Sequence, residues 1–424
     1  MSVVFGHVEP GFEPVRDVFR QNFEEKGEIG AGFCVYHEGK RVVDLWGGVA
    51  HRGIKTPWEA DTLVNIFSGT KGMAALCFLM LEDRGEVDLD SKVVEHWPEF
   101  GLHGKDAITI RHVLNHRSGA VALAEDLSLE DLEDTARMEG AMERAPLMWP
   151  AGEGQGYHAI TYGIMATGLF RRITGETMGA FLKREIRDKL QADVFLGVPV
   201  TEDARVAMLY PAGTPERLKT FRGVLGRPFS REARFLRNVL LRPSSPGSAA
   251  VRYPTPLGGR HLHNYNLPRV RRLELAWANG HASARGLARM YAPLALGGVF
   301  EDTKVVSEEA ASRPVPRQSW AEHDITLRKP QGWSQGFLKE QTTLFAPTTS
   351  WFGHPGIGGS MGFADPEARI SGGYTINKMR LKVRSPTAIA LTRKVYEVLG
   401  YPPFDPKKSE RSAWEQIRVR SGRG

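Results

Sequence analysis

Residues 13–26 read EPVRDVFRQNFEEK, a run that spaces Val15, Val18, Phe19 and Phe23 at helical intervals and predicts an amphipathic helix. The period then shortens. In GFCVYHEGKRVVDLWGG, two β-rich runs, 32–37 and 41–46, flank Glu38-Gly39, which predicts a hairpin. From Ser68 to Arg84 the pattern is helical again, and Gly85 supplies the stop. Further helical stretches are expected over 110–116, 129–144, 159–173, 177–190 and 282–291. Alternation returns late in the chain. GWSQGFLKE, SWFGHPG, GSMGFADP and ISGGYTINKM read as consecutive strands, residues 365–369 as a turn, and Pro386 to Leu399 as a closing helix.

Strands near both ends and helices between them predict an α+β fold. The simplest assembly is an antiparallel sheet built from both chain ends and flanked by the terminal helices, with a large all-α lobe inserted. Expected boundaries are a domain over 1–402, with an α/β lobe at about 10–67 and 330–400 and a helical lobe at about 68–329, followed by a basic tail over 403–424. Residues 205–275, rich in Pro, Gly and Arg, read as an irregular or short-helical insertion. Within it, SREARFLRNVLLR (230–242) could form a short basic helix with Phe235, Leu236, Val239 and Leu240 on one side, packed on the core, lining an entrance or lying on a membrane.

Charge sharpens that picture. The net charge is +7, yet 213–272 alone carries thirteen Lys or Arg against Glu216 and Glu232, so the remainder sums to about −4. The arginines are strung between Pro, Ser, Phe and Leu without the pattern of a nucleic-acid module, so no nucleic-acid partner is expected. A solvated insertion surface is the plainer reading, with weak membrane-surface contact as the alternative. No run of 18 apolar residues occurs, and the start, MSVVFGHVEPGFEPVRD, shows neither a basic leader nor an apolar core. Cys34 and Cys77 sit in apolar surroundings without a CxxC partner. Buried thiols and a cytoplasmic location are therefore expected.

Candidate chemistry begins in NIFSGTKGMAAL (65–76), where Ser68 stands three residues before Lys71. Positions i and i+3 share a helix face, so the amine can reach the hydroxyl. A serine needs a base to be a nucleophile, and a buried lysine can serve. The N-terminal end of the helix favours a developing alkoxide. Alone, S-x-x-K recurs by chance, and an N-capping serine beside a solvated lysine gives the same letters. Two further stretches change this. WPAGEGQGYHAITYGIMATGLFRRITG carries Tyr157, and GHPGIGGSMGFADP carries His354-Pro355-Gly356. In this order, and joined by LEDRGEVDLDSKVVEHWPEF and ITIRHVLNHRSG, the motifs resemble the serine β-lactamase and penicillin-recognising superfamily. The likeness is strongest to its class C-like branch with the family VIII carboxylesterases. It runs from about residue 14 to 398 and weakens across 205–275.

The resemblance implies acylation of Ser68, proton traffic shared by Lys71 and Tyr157, and an oxyanion hole from the N–H groups of Ser68 and Ile357. His354, Gly356 and His158 would contact substrate. It leaves open whether Lys71 or Tyr157 is the base. Two departures bear on substrate. The second motif reads Tyr157-His158-Ala159 instead of Tyr-x-Asn, which removes an amide that would hold the lysine and bind a substrate amide. The third has His354 in place of lysine, so its charge at neutral pH would be only partial. Esters need neither feature. A small-molecule carboxylic ester of modest acyl length is therefore the expected substrate, with water or another alcohol accepting the acyl group. A β-lactamase, a D-amino-acid peptidase and a non-enzymatic binding protein on the same scaffold are the alternatives.

Other signals are weaker. Gly358-Gly359-Ser360-Met361-Gly362 matches G-x-S-x-G, but no histidine follows His354 to complete that triad. His112 and His116 stand four apart without the glutamate of a zinc helix, and His261-Leu-His263, alternating as in a strand, lacks a third ligand nearby. No metal and no cofactor are expected.

Overall fold

The structure, a computed structural model, describes residues 4–213, 242, 244–339, 345–380 and 385–403. Its main sheet has ten strands: β1 (Val4–Val8), β2 (Gly30–His37), β3 (Lys40–His51), β4 (Thr56–Pro57), β5 (Ser319–Ala321), β6 (Gln331–Ser334), β7 (Phe337–Leu338), β8 (Phe352–Pro355), β9 (Met361–Asp365) and β10 (Ile370–Ile376). They run β1-β3-β2-β10-β9-β8-β7-β6-β5, with β4 paired to β3, and each pairing is antiparallel. The two chain ends therefore meet in mid-sheet, where Cys34 of β2 opposes Gly373 of β10. The hairpin at Glu38-Gly39 forms as expected. Both residues have positive φ, 51° and 81°, as a two-residue turn matching strand twist requires.

Helices cover both faces of this sheet. On one face α1 (Glu13–Glu24) and the C-terminal helix (Pro386–Val398) share a core with the strands, through Val15, Phe19, Phe33, Phe363, Leu391 and Val395. On the other lies α2 (Thr70–Asp83), whose residues 70–81 are all buried, with α3 (Thr161–Thr174) packed near it. The helix Ala284–Ala295, here α4, falls in the stretch expected to form the helical lobe, yet it packs on the sheet. Two strand glycines explain the approach: a Cβ at Gly373 would sit 2.2 Å from the Ala284 carbonyl, and one at Gly362 2.5 Å from the Tyr291 ring.

Other helical expectations need correction in detail. The stretch 129–144 divides at Asp134, whose carboxylate caps the helix Thr135–Glu143 by accepting the Arg137 N–H. The stretch 177–190 contains a π-helical turn at Lys183–Arg187. His261-Leu-His263 is not a strand, because Leu262–Asn266 forms a short 3₁₀ helix. The described part of the insertion is short-helical, with Pro246–Arg252, Thr255–Leu257 and Pro268–Arg271 as its other turns. Residues 214–241 and 243 of the basic block, and with them the amphipathic stretch 230–242 apart from Arg242, lie outside the described residues, as do residues 404–424.

Candidate active site

Ser68 sits at the mouth of a small site assembled from the start of α2, the loop before α3, and strands β6 and β8. Phe67, just ahead of it, adopts a φ of 46°, which is unfavourable for a residue with a side chain and turns the chain sharply into the helix. The surroundings hold this turn. Asn65 Oδ1 accepts the Phe67 N–H at 2.7 Å, and the Thr70 hydroxyl donates to the Phe67 carbonyl at 2.5 Å while accepting the Gly280 N–H at 2.7 Å. Ser68 remains partly exposed, whereas Lys71 one turn on is fully buried.

The Lys71 amine has three neighbours: the Trp277 carbonyl at 2.8 Å, the Ala159 carbonyl at 3.0 Å and the Ser68 hydroxyl at 3.5 Å. Burial pulls its pKa well below the ordinary lysine value. A neutral amine has two N–H bonds and one lone pair. In that form the two carbonyls would take both N–H bonds, which would leave the lone pair for the Ser68 hydroxyl. The sequence suggested that losing the second-motif amide would deprive the lysine of a partner. Instead the main-chain carbonyl of Ala159 holds it.

Tyr157 completes the group. Its ring centroid lies 5.0 Å from Lys71 Nζ, and its hydroxyl interacts with that of Ser68. Burial raises the phenol's pKa and outweighs the opposing effect of the Ser68 hydroxyl, so the phenol stays protonated. The ring stacks on Trp333 of β6 at 5.8 Å and 15°, and His116 lies against it at 4.7 Å. Neither Trp333 nor His116 was singled out by the sequence as part of this site.

His158 does not face the substrate, contrary to the expectation from its place in the motif. It is fully buried, and both ring nitrogens are engaged, with the Gly156 carbonyl at 2.6 Å and the Ser118 hydroxyl at 2.7 Å. Its main-chain N–H donates to His116 Nδ1 at 3.1 Å, and burial lowers its pKa to about 3. It is a brace for the loop that carries Tyr157. His112 and His116 do not act as a pair either: the first caps its own helix, and the second, beyond the helix end, serves this loop. Among the described residues no group of three His, Cys, Asp or Glu is arranged to hold a metal ion.

The third motif lies along and just beyond β8. His354 is buried against Trp333 and Tyr157, at ring separations of 5.6 and 6.3 Å. Its Nδ1 meets the Pro355 carbonyl at 2.9 Å. A carbonyl only accepts, so Nδ1 carries the proton and Nε2 is left as an acceptor, with no partner among the described residues. Burial first, then the nearby Lys71, lower the His354 pKa to about 3. The partial positive charge expected at neutral pH is therefore absent. Gly356 lies against the segment just before Ser68, where a Cβ would come within 2.1 Å of the Ile66 carbonyl. Ile357, next in sequence, is exposed at the lip of the site, and its N–H makes no hydrogen bond among the described residues. Ser360 is buried, and its hydroxyl accepts the Ile376 N–H at 3.4 Å.

Comparison with known proteins identifies the family. A family model described as Beta-lactamase matches residues 15–397. The "Esterase/beta-lactamase LipL" of Mycobacterium tuberculosis is 32% identical over 379 residues, spanning 89% of this chain and 83% of that protein. A crystal structure of a family VIII carboxylesterase superposes with a TM-score of 0.81 at 31% identity, covering 93% of this chain and 100% of that one. A penicillin-binding protein homologue from Caulobacter crescentus gives 0.79 at 32% identity, over 93% and 100% of the two chains. With the family model spanning nearly the whole chain and relatives matching along the same length, the chain belongs to the Beta-lactamase family.

Proposed function

We propose that this chain is a carboxylic ester hydrolase working through an acyl-serine intermediate, with Ser68 as nucleophile, Lys71 as base and Tyr157 as proton donor. The state of Lys71 carries the reading. A lysine removed from water, with two carbonyls on its N–H bonds and a serine hydroxyl at its remaining side, is poised to accept a proton. As Ser68 Oγ bonds to the ester carbonyl carbon, its proton moves to Lys71. The N–H groups of Ser68 and Ile357 would hold the oxyanion, each such donor commonly contributing about 3 kcal/mol. When the intermediate collapses, the carbon–alkoxide bond breaks. Tyr157 protonates the departing alcohol and recovers a proton from the Lys71 ammonium. Water then attacks the acyl-serine by the same route in reverse, and another alcohol in place of water would give acyl transfer.

The substrate we favour is a neutral ester of modest acyl length. Ala159 offers no side-chain amide, and a neutral His354 offers no cation to the carboxylate of a β-lactam or a D-amino-acid peptide. We treat 1–402 as one catalytic domain followed by a basic tail. For the block over 213–272 we favour an insertion surface over membrane contact, because Arg269 pairs with Glu130 and Arg271 and Arg272 pair with Asp203. No helix among the described residues is long and apolar enough to cross a membrane. Cys34 and Cys77, free and buried, suit a reducing compartment, and we assign the chain to the cytoplasm.

Labelling with a fluorophosphonate, read by intact mass and peptide mapping, tests the assignment. Ser68→Ala should abolish labelling and lower p-nitrophenyl butyrate turnover by about five orders of magnitude, while Ser360→Ala keeps both. A Ser68→Ala protein that still turns over the ester would overturn the mechanism.

A further inference from the structure

Asp324 belongs to none of the sequence motifs, yet it is fully buried beneath the Tyr157 loop. Its Oδ1 accepts three main-chain N–H groups, from Leu327 at 2.8 Å, Thr326 at 3.0 Å and Tyr157 at 3.1 Å. The first two close its own turn. The third reaches across 167 residues to the residue whose phenol meets Ser68. The contact is braced on both sides: the Ile325 N–H donates to the Gln155 carbonyl at 2.9 Å, and the Gln155 side chain donates to the Gln331 carbonyl at 2.9 Å. The other carboxylate oxygen, Oδ2, is buried with no hydrogen-bond partner among the described residues. Accepting three N–H bonds needs one oxygen, which an amide would also supply. A carboxylate adds a charge, and N–H bonds to an ionised acceptor are roughly twice as strong as neutral ones.

We propose that Asp324 is the positioning residue of Tyr157, fixing through its peptide N–H where the phenol meets Ser68 and the leaving alcohol. Burial pushes the Asp324 carboxyl up to about 6, so it is charged at neutral pH, and that charge adds a minor opposition to ionisation of the phenol, which burial itself resists most. The inference rests on the reading of Tyr157 as the donor to the leaving group. A p-nitrophenolate departs without much help, whereas an ethoxide needs a proton as it leaves, so the two esters separate positioning of the donor from general damage.

The experiment compares kcat/KM for ethyl butyrate and p-nitrophenyl butyrate in the 424-residue chain and its variants. Asp324→Ala should lower the ethyl ester rate by about 100-fold and the p-nitrophenyl rate by less than about tenfold. Asp324→Asn, which keeps an acceptor but not the charge, should lose about tenfold on the ethyl ester. In a Tyr157→Phe background, Asp324→Ala should cost nothing further on that substrate. Equal losses on the two esters, or additive losses in the double variant, would overturn the proposal. Should Asp324→Ala not fold, an Asp324→Asn enzyme with the wild-type ratio of rates overturns it alone. A Tyr157→Phe variant with the wild-type ratio overturns the reading of Tyr157 and this inference with it. Tyr157→Phe losing the ethyl ester while Asp324→Ala keeps it overturns only the inference.

Discussion

Adding one methyl group at position 356 should disable the oxyanion site without touching any side chain that handles protons. A Cβ there would lie 2.1 Å from the Ile66 carbonyl oxygen. That is more than about 1 Å inside ordinary van der Waals contact. The obstacle is main chain, so no side-chain rotation relieves it. The φ of Gly356 is outside the left-handed region, which leaves steric contact as the whole cost. Relief requires the strand end at 355–357 and the nucleophile segment at 66–68 to separate by about 1 Å. The two proposed oxyanion donors, the N–H groups of Ile357 and Ser68, lie on opposite sides of that gap. Losing the grip of one donor costs about 3–4 kcal/mol, so kcat of Gly356→Ala should fall about 100- to 1000-fold with KM changed only a few-fold. Overpacking should also lower stability by about 1–3 kcal/mol. Stopped-flow acylation by p-nitrophenyl butyrate, alongside thermal unfolding, separates the two effects. A folded Gly356→Ala enzyme with kcat within threefold of wild type would refute both the close approach and the oxyanion assignment.

Two more substitutions probe other parts of the structure. Lys71→Met should abolish ester turnover and also remove a pH dependence of stability. Because the folded lysine has the lower pKa, the unfolded chain binds more protons between the two values, so wild-type stability rises with pH towards the ordinary lysine range. Urea unfolding at about pH 7 and about pH 9.5 should show that rise in the wild type and a smaller one in Lys71→Met; equal slopes would contradict the buried, neutral amine. Gly373→Ala should push α4 off the sheet, since its Cβ would lie 2.2 Å from the Ala284 carbonyl. A loss of about 1–3 kcal/mol with kcat within about twofold is expected, and unchanged stability would show that the helix has room to move.

The elements legible in the sequence were those with a local signal. The hairpin at Glu38-Gly39, α1, the helix after Ser68 and the strands after residue 350 each carry their period and their stop within a few residues, whereas GWSQGFLKE, read as one strand, is the β6–β7 hairpin turning at Gln335-Gly336. The place of α4 was not legible, because what lets it lie on the sheet is the absence of side chains at Gly362 and Gly373 on strands distant in sequence. Spacing placed Ser68 and Lys71 on one helix face, but only the order of the three motifs singled them out together with Tyr157. Much of what holds them is main chain, though, and a carbonyl such as that of Trp277 has no residue-type signature. His158 was misread because it adjoins Tyr157, yet the loop turns its ring inward to Gly156 and Ser118. The charge on His354 was misjudged for a similar reason: the Pro355 carbonyl and burial decide its proton, and neither is written in the letter H. Trp333 stood in plain view within GWSQGF, where alternation assigned it a strand but not the ring it would stack against.

The grip on the Lys71 amine has a bearing on how this protein matures. Its two carbonyl partners come from positions 88 and 206 residues further along the chain. A nascent or half-assembled molecule can form the helix that bears the serine and lysine, but until both later segments dock, the ammonium remains hydrated and charged. On the proposed mechanism the lysine would therefore not be poised as a base until both of these later segments had docked.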